Sequence, residues 1–309
     1  MAVFTFDLHT HLLEKNEKPE RYWNVVKAKK IDVVAVTEHM EENPKLAYEK
    51  LLEKKPRNKV LIPGIELNTE IGHVMAFGSG ADLYEVKEFF NKGESIKNIL
   101  RIAEENDFLV SIAHPWGFSY DSAAYIVGEK RLERFVQENF VGVEVYNGMV
   151  GSIGNFVFGT NWVRKPLNFF DFMEKNKVAR KTRLDRVGKK LKKKLDKKSR
   201  EVTERCTKPI DLGEKARFIT AGSDAHSAER IGTGVLKVKS AREKLDVKKA
   251  LDEITKKKNV VWAGPFVQER ADGSYKVSKV SPHKMEMIKG LKYATISKIK
   301  KKIKGKEKK

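Results

Sequence analysis

The 309 residues carry 63 Lys and Arg against 42 Asp and Glu, a formal net charge of +21, and 40% of them are hydrophobic. That apolar content excludes a chain too polar to form a core, and no run approaches the roughly 18 apolar residues of a membrane span. A single cysteine, Cys206, excludes an internal disulfide and a thiolate-clustered zinc site.

The amino terminus has neither the basic nor the apolar region of a secretory signal, so a cytoplasmic protein is expected. The charge is concentrated. Between Lys175 and Arg200, 14 Lys and Arg face only Asp185 and Asp196. Between Lys298 and Lys309, eight Lys face only Glu307. These two segments hold +12 and +7, so the remainder of the chain is nearly neutral. Polyanion binding, if present, belongs to them.

Apolar, β-branched runs recur along the chain: Val3–Phe6, Val33–Val36, Val60–Ile65, Val74–Phe77, Phe108–Ala113, Val141–Tyr146 and Phe218–Ala221. Helical spacing occupies Glu20–Lys29, Pro44–Leu52, Ile96–Asn106, Arg131–Gln137 and Val247–Lys256. Alternation of this kind predicts an α/β fold with a largely parallel sheet, and about seven units suit a barrel better than an open sheet. The rhythm breaks after residue 147. An aromatic stretch follows (Phe156, Phe158, Trp162, Phe169, Phe170, Phe172), then a long basic helix predicted over about Glu174–Arg205, with one apolar stripe of Leu184, Val187, Leu191 and Leu195. The aromatic stretch is read as packing beneath an insertion. A second basic segment near the end places Ile288, Leu291, Ile296, Ile299 and Ile303 on a helical stripe, and Lys304–Lys309 are expected to be disordered. The expected organisation is a barrel from 1–147 and 212–265, an aromatic and basic helical insertion at 148–211, and a basic extension at 266–309.

Five of the seven histidines lie where apolar runs end. Phe6 leads into Asp7-Leu8-His9-Thr10-His11, Val36 into Thr37-Glu38-His39, Pro63 into Gly64-Ile65-Glu66, Ile112 into Ala113-His114-Pro115, and Ala221 into Gly222-Ser223-Asp224-Ala225-His226. Residues i and i+2 on a strand share a face, so His9 with His11, and Asp224 with His226, can each grip one ion. The carboxyl ends of parallel strands converge, and imidazole plus carboxylate suits Zn²⁺, Mn²⁺ or Fe²⁺. His73 instead opens an apolar run, and His283 lacks any such setting.

Taken in order, Asp-Leu-His-Thr-His, Thr-Glu-His, Pro-Gly-Ile-Glu, Gly-His at 72–73, Ala-His-Pro, Val-Glu-Val-Tyr-Asn at 143–147 and Gly-Ser-Asp-Ala-His resemble the polymerase and histidinol phosphatase (PHP) superfamily over roughly residues 1–265. The resemblance implies a distorted (β/α)7 barrel that binds two or three divalent ions (Zn, Mn or Fe) and hydrolyses a phosphate ester with a metal-activated water. It implies His9, His11, Glu66 and Asp224 as the first metal's ligands, a bridging Glu66 with His73 and His114 as the second's, and His39 with His226 as the third's. His226 or His39 would assist proton transfer, and Arg230 would reach a substrate phosphate. Two positions depart from the family pattern. Glu14 or Glu17 stands where a His or Asp often follows the first His-x-His, and Thr-Glu-His replaces Thr-Asp-His. The expected substrate is a nucleotide or other small phosphomonoester. The alternatives are a nuclease on single-stranded RNA or DNA guided by the basic segments Lys175–Arg200 and Lys298–Lys309, and a non-catalytic nucleic-acid-binding protein on a degenerate barrel.

Overall fold

The computed structural model describes residues 1–159, 168–169, 172, 184–269 and 273–277. Trp162, Phe170, residues 174–183 of the predicted basic helix, His283, the stripe from Ile288 to Ile303 and the terminal lysines lie outside the described residues.

Seven strands form a distorted (β/α)7 barrel: β1 (Ala2–Thr10), β2 (Val33–Val36), β3 (Val60–Thr69), β4 (Gly72–Phe77), β5 (Leu109–Ile112), β6 (Gly142–Asn147) and β7 (Phe218–Gly222). Each pairs with the next in sequence. The ring closes where His11 N donates to Ala225 O (3.0 Å) and Asp224 N to His9 O (2.7 Å), joining the ends of β1 and β7. Their close approach depends on Gly222, because a Cβ there would stand 2.3 Å from the Cβ of His9.

The sheet is less parallel than its sequence predicts. β4 runs antiparallel to both β3 and β5. It folds back from β3 through a tight turn at Gly72, whose φ of +115° suits glycine. Two further strands, β8 (Val235–Ser240) and β9 (Val260–Ala263), extend the sheet antiparallel from the first half of β1. The alternation in β8 has a physical reason: Lys237 and Lys239 face solvent while Leu236 and Val238 are buried.

Helices cover the barrel. α1 (Pro19–Ala28) begins on a proline and buries Tyr22, Trp23 and Val26, with Trp23 Nε1 donating to Leu51 O (2.9 Å). α2 (Pro44–Glu53) is capped by Asn43, which accepts from Leu46 N. α3 (Ile96–Glu105) buries Ile96, Ile99 and Ile102 at helical spacing, each contributing about 1.5–3 kcal/mol of apolar burial. The short α4 (Ala123–Ile126) and α5 (Glu129–Glu138) follow β5, α6 (Gly148–Gly159) follows β6, and α8 (Val247–Thr255), capped by Asp246, follows β8.

α7 (Leu184–Lys215) continues ten residues past its predicted end at Arg205, through Pro209. A proline costs a helix one backbone bond. Tertiary contacts hold the last turns instead: Cys206, Ile210 and Leu212 are buried, Lys208 pairs with Glu129 (2.6 Å) and Lys215 with Glu133 (2.6 Å) on α5. Among the described residues, no helix is long and apolar enough to cross a membrane.

Candidate metal centre

Every predicted ligand converges on one end of the barrel. His9 and His11 leave β1 on the same face, and both rings are buried to the last atom. Asp224 and His226 follow β7 across the closing seam. Glu66 sits within β3, and His39 follows β2, bridged to Glu66. The antiparallel course of β4 explains why His73 opens a run: the start of β4 meets the carboxyl ends of its neighbours. His114 ends β5 with φ of +28°, and Asp224 has φ of +50°. Such angles are uncommon for residues other than glycine.

Glu66 is the hub. Its Oε2 lies 3.4 Å from His9 Nε2, 3.6 Å from His11 Nε2 and 3.1 Å from His39 Nδ1. Its Oε1 lies 2.9 Å from His73 Nδ1 and 3.0 Å from His114 Nε2. The two oxygens therefore serve two different sets of histidines. Asp224 Oδ1 completes the first set, 3.7 Å from His9 Nε2 and 3.4 Å from His11 Nε2.

The donor spacing matches one shared ion. Donors bound at about 2.0–2.2 Å in a tetrahedral shell stand about 3.3–3.6 Å apart. Moreover, His9 Nε2 and His11 Nε2 are buried with no hydrogen-bond partner, an arrangement that costs free energy unless another group satisfies them. Three overlapping sets of side chains have the geometry to hold a metal: His9, His11 and Glu66; His39, Glu66 and His73; and His11, His39 and His226.

The third set gains a carboxylate that the sequence left open. Glu14 Oε2 lies 2.6 Å from His226 Nε2 and 4.0 Å from His39 Nε2. Glu17 faces elsewhere, accepting from Ala228 N (2.9 Å) and Arg21 (3.3 Å). Of the two glutamates after His11, Glu14 is the one beside these imidazoles.

Around the donors stands a ring of buried carboxylates that sequence reasoning left without a role. Glu144 Oε1 accepts from His9 Nδ1 (3.0 Å), while its Oε2 accepts from His114 N (2.7 Å) and Asn147 Nδ2 (3.0 Å). Asn147 also donates to Asp224 Oδ2 (3.2 Å). Glu38 Oε2 accepts from Leu12 N and Leu13 N, and its Oε1 lies 3.5 Å from His11 Nδ1. Its extra methylene, relative to aspartate, serves this double reach. Asp7 accepts from Ser223 N (2.8 Å) and Gly232 N (2.7 Å), tying β1 to the β7 loop. The signal for these was present in the Val-Glu-Val-Tyr-Asn, Thr-Glu-His and Asp-Leu-His-Thr-His motifs, although not the direction of their bonds.

The electrostatics of the metal-free cluster follow from this excess of carboxylates. Burial disfavours a charged ring at His11, but Asp224, Glu38 and Glu66 outweigh it and raise its pKa to about 10. Burial likewise opposes His114, which Glu66 and Asp121 raise to about 9. His9 is held well above the ordinary value, with Glu144, Asp224 and Glu66 again overcoming burial. Glu66 and Asp224 lie well below theirs despite burial, because imidazoles surround them. His39 differs: burial and the neighbouring imidazoles of His11, His73 and His226 outweigh Glu66 and lower it to about 4, so it is neutral.

Arg230 lies in a 3-10 turn four residues past His226, and its guanidinium donates to Ser152 Oγ on α6. No described contact joins it to the donors above. The cluster opens on one side: His39 is 25% exposed and Glu14 32%, whereas His9 and His11 are inaccessible.

A (β/α)7 barrel with a cluster of imidazoles and carboxylates at its carboxyl ends defines a metal-binding barrel protein. Residues 216–259 match the family model described as PHP-associated. That match covers the last strand-and-loop segment bearing the metal ligands, and the ordered motifs from His9 to His226 resemble those of the PHP superfamily. No curated protein matches it in sequence. Among solved structures, PsfC from Pseudomonas syringae shares the fold at 15% identity and a TM-score of 0.51, covering 86% of this chain and 93% of its own. A two-domain protein from Bacteroides vulgatus containing a predicted PHP-like metal-dependent phosphoesterase aligns over 91% of this chain and 73% of its own, at 13% identity and a TM-score of 0.49. The lesion-specific endonuclease PfuEndoQ from Pyrococcus furiosus aligns over 90% of this chain and 64% of its own, at 14% identity and a TM-score of 0.45.

Proposed function

We propose that this chain is a metal-dependent phosphoric ester hydrolase, with the ligand set His9, His11, His39, Glu66, His73, His114, Asp224 and His226. The observation that carries the reading is the convergence of two buried, unpartnered imidazole nitrogens with Glu66 and Asp224 at 3.4–3.7 Å. The donor set suits Zn²⁺, Mn²⁺ or Fe²⁺. When bound, such ions lower the pKa of a coordinated water and neutralise the phosphate and leaving-group oxygens.

The chain's own residues then have separate tasks. Glu66 bridges two donor sets. Glu144 and Glu38 hold the His9 and His11 rings in place, which fixes the nitrogens that face the cluster. His39 and His226 stand at the open side beside Glu14, where they assist proton transfer when no third ion occupies them. Arg230 contacts a substrate phosphate oxygen. Residues 148–211 form an insertion on the barrel of 1–147 and 212–265. The lone buried thiol of Cys206 suits a reducing cytoplasm.

The test is exhaustive chelation, then titration with Mn²⁺, Zn²⁺ or Fe²⁺, with turnover of a chromogenic phosphomonoester and a chromogenic phosphodiester measured throughout. Activity should vanish on chelation, return with metal, and be absent from the His9→Ala, His11→Ala double variant. Activity in that variant, or turnover indifferent to metal, refutes the reading. The phosphomonoester arm tests the small substrate that the motifs suggest.

A further inference from the structure

We infer that the amino-terminal half of α7 is an arm that binds single-stranded nucleic acid and presents it to the metal centre. This inference rests on the proposed phosphoester hydrolysis for its catalytic part only; binding stands separately.

The direction of α7 is fixed by its ends. Lys215 leads into Phe218 at the start of β7, the end of the barrel away from the metal centre. Arg205 reaches the opposite end, where its Nη1 donates to Gly117 O (3.3 Å), three residues past His114. Residues before Arg205 therefore extend beyond the ligand-bearing rim. At 1.5 Å per residue, Arg186 stands about 30 Å along the helix from Arg205.

The charge changes along the same axis. Past Arg205, the α7 cations Lys208 and Lys215 are matched by Glu129 and Glu133. From 184 to 200, nine Lys and Arg outnumber Asp185 and Asp196. Arg186, Lys189, Lys190, Lys193, Lys194, Lys197 and Arg200 are all exposed. Steps of three and four residues set these cations about 5 Å apart along a helix face, a track for a chain of phosphates rather than for one phosphate. An ion-paired surface adapted to heat would carry carboxylates among the lysines, and this stretch has only two.

The track ends at Arg200; Glu201 and Glu204 separate it from Arg205, which stands beside the metal centre. The side chain of Arg205 packs over the Tyr125 ring at 5.6 Å, and its Nε is buried without a hydrogen-bond partner. With His114, Glu144 and Asn147 it lines a small cleft beside the donors. Two aromatic rings in the segment before the arm, Phe169 and Phe172, are 55% and 60% exposed, and exposed rings suit stacking on unpaired bases. A single strand is favoured over a duplex because the donors are recessed: His9 and His11 have no accessible surface. An extended strand can approach the open side, where His39 and Glu14 are 25% and 32% exposed.

The experiment measures binding of fluorescein-labelled 20-nucleotide oligo(dT) and oligo(U) to the full chain by anisotropy, in EDTA so that hydrolysis does not intervene. Four to seven phosphate contacts predict that log Kobs falls with log salt at a slope of roughly −3 to −5. In the variant Lys189→Gln, Lys190→Gln, Lys193→Gln, Lys194→Gln the slope should shrink by about 3, and binding at low salt should weaken at least tenfold. Turnover of a small chromogenic ester should be unchanged in that variant, since none of its positions lies in the metal centre. Equal binding by wild type and variant overturns the inference, as does tighter binding to anionic phosphatidylserine vesicles or to a duplex of the same length. Failure of small-ester turnover with intact strand binding sinks the proposed function and leaves the arm standing.

Discussion

Glu144→Gln isolates the contribution of a carboxylate that touches no metal. Glu144 is buried and accepts three hydrogen bonds, from His9 Nδ1, His114 N and Asn147 Nδ2. A glutamine has one acceptor and one donor where the carboxylate has two acceptors. If the amide nitrogen faces His114 N and Asn147, donors oppose donors. If it faces His9, it donates to Nδ1 and forces the ring proton onto Nε2, the nitrogen aimed at Glu66 and Asp224. That tautomer cannot ligate a cation. Loss of an orienting carboxylate of this kind lowers metal affinity about 10- to 100-fold, equivalent to about 1.4–2.7 kcal/mol. The assay is equilibrium dialysis against buffered Zn²⁺ or Mn²⁺ with metal counted by mass spectrometry, alongside circular dichroism to confirm the fold. A variant that folds and binds within threefold of wild type would refute the assigned role of Glu144.

Three further outcomes follow. Gly222→Ala places a Cβ 2.3 Å from that of His9, so the β1–β7 seam must open; a thermal melt should show a loss of at least 2 kcal/mol, of the order expected for overpacking, and metal content should fall. Metal uptake near pH 7 should release about two to three protons, because His9, His11 and His114 are protonated in the metal-free cluster and must be neutral to ligate; their pKa values are raised, so affinity climbs as pH rises toward about 9–10, and calorimetry in buffers of different ionisation enthalpy counts the protons. Glu14→Gln should lower the bound metal count by one while sparing the ions between His9 and His114, as read by the same mass spectrometry; an unchanged count would remove Glu14 from the third set.

Much of the centre is written in the sequence because strand geometry is simple. The i and i+2 spacing of His9 with His11 fixes a shared face, and runs ending in His39, His114 and Asp224 announce a common end of the sheet. What remained hidden depends on chain direction and long-range pairing. His73 makes sense only once β4 runs antiparallel. Glu14 and Glu17 look alike in the sequence, and only the turn after His11 sends one toward His226 and the other toward Ala228 N. Glu144 belonged to a recognised motif, yet its task depends on β6 lying beside β5 and near β1, a contact between residues 135 apart. β8 was overlooked because its alternating lysines dilute the apolar signal. α7 runs on past Arg205 through Pro209, where burial of Ile210 and Leu212 overrides the local preference of proline against a helix.

The central claim is that Glu66 joins two metal positions, with Oε2 serving His9 and His11 and Oε1 serving His73 and His114. Crystals grown with Mn²⁺ or Zn²⁺ and measured at the metal's absorption edge test it most directly. Two anomalous peaks about 3.5–4 Å apart on either side of the Glu66 carboxylate are expected, with a third near His39 and His226. A single peak, or peaks that leave Glu66 outside their ligand shells, would contradict it.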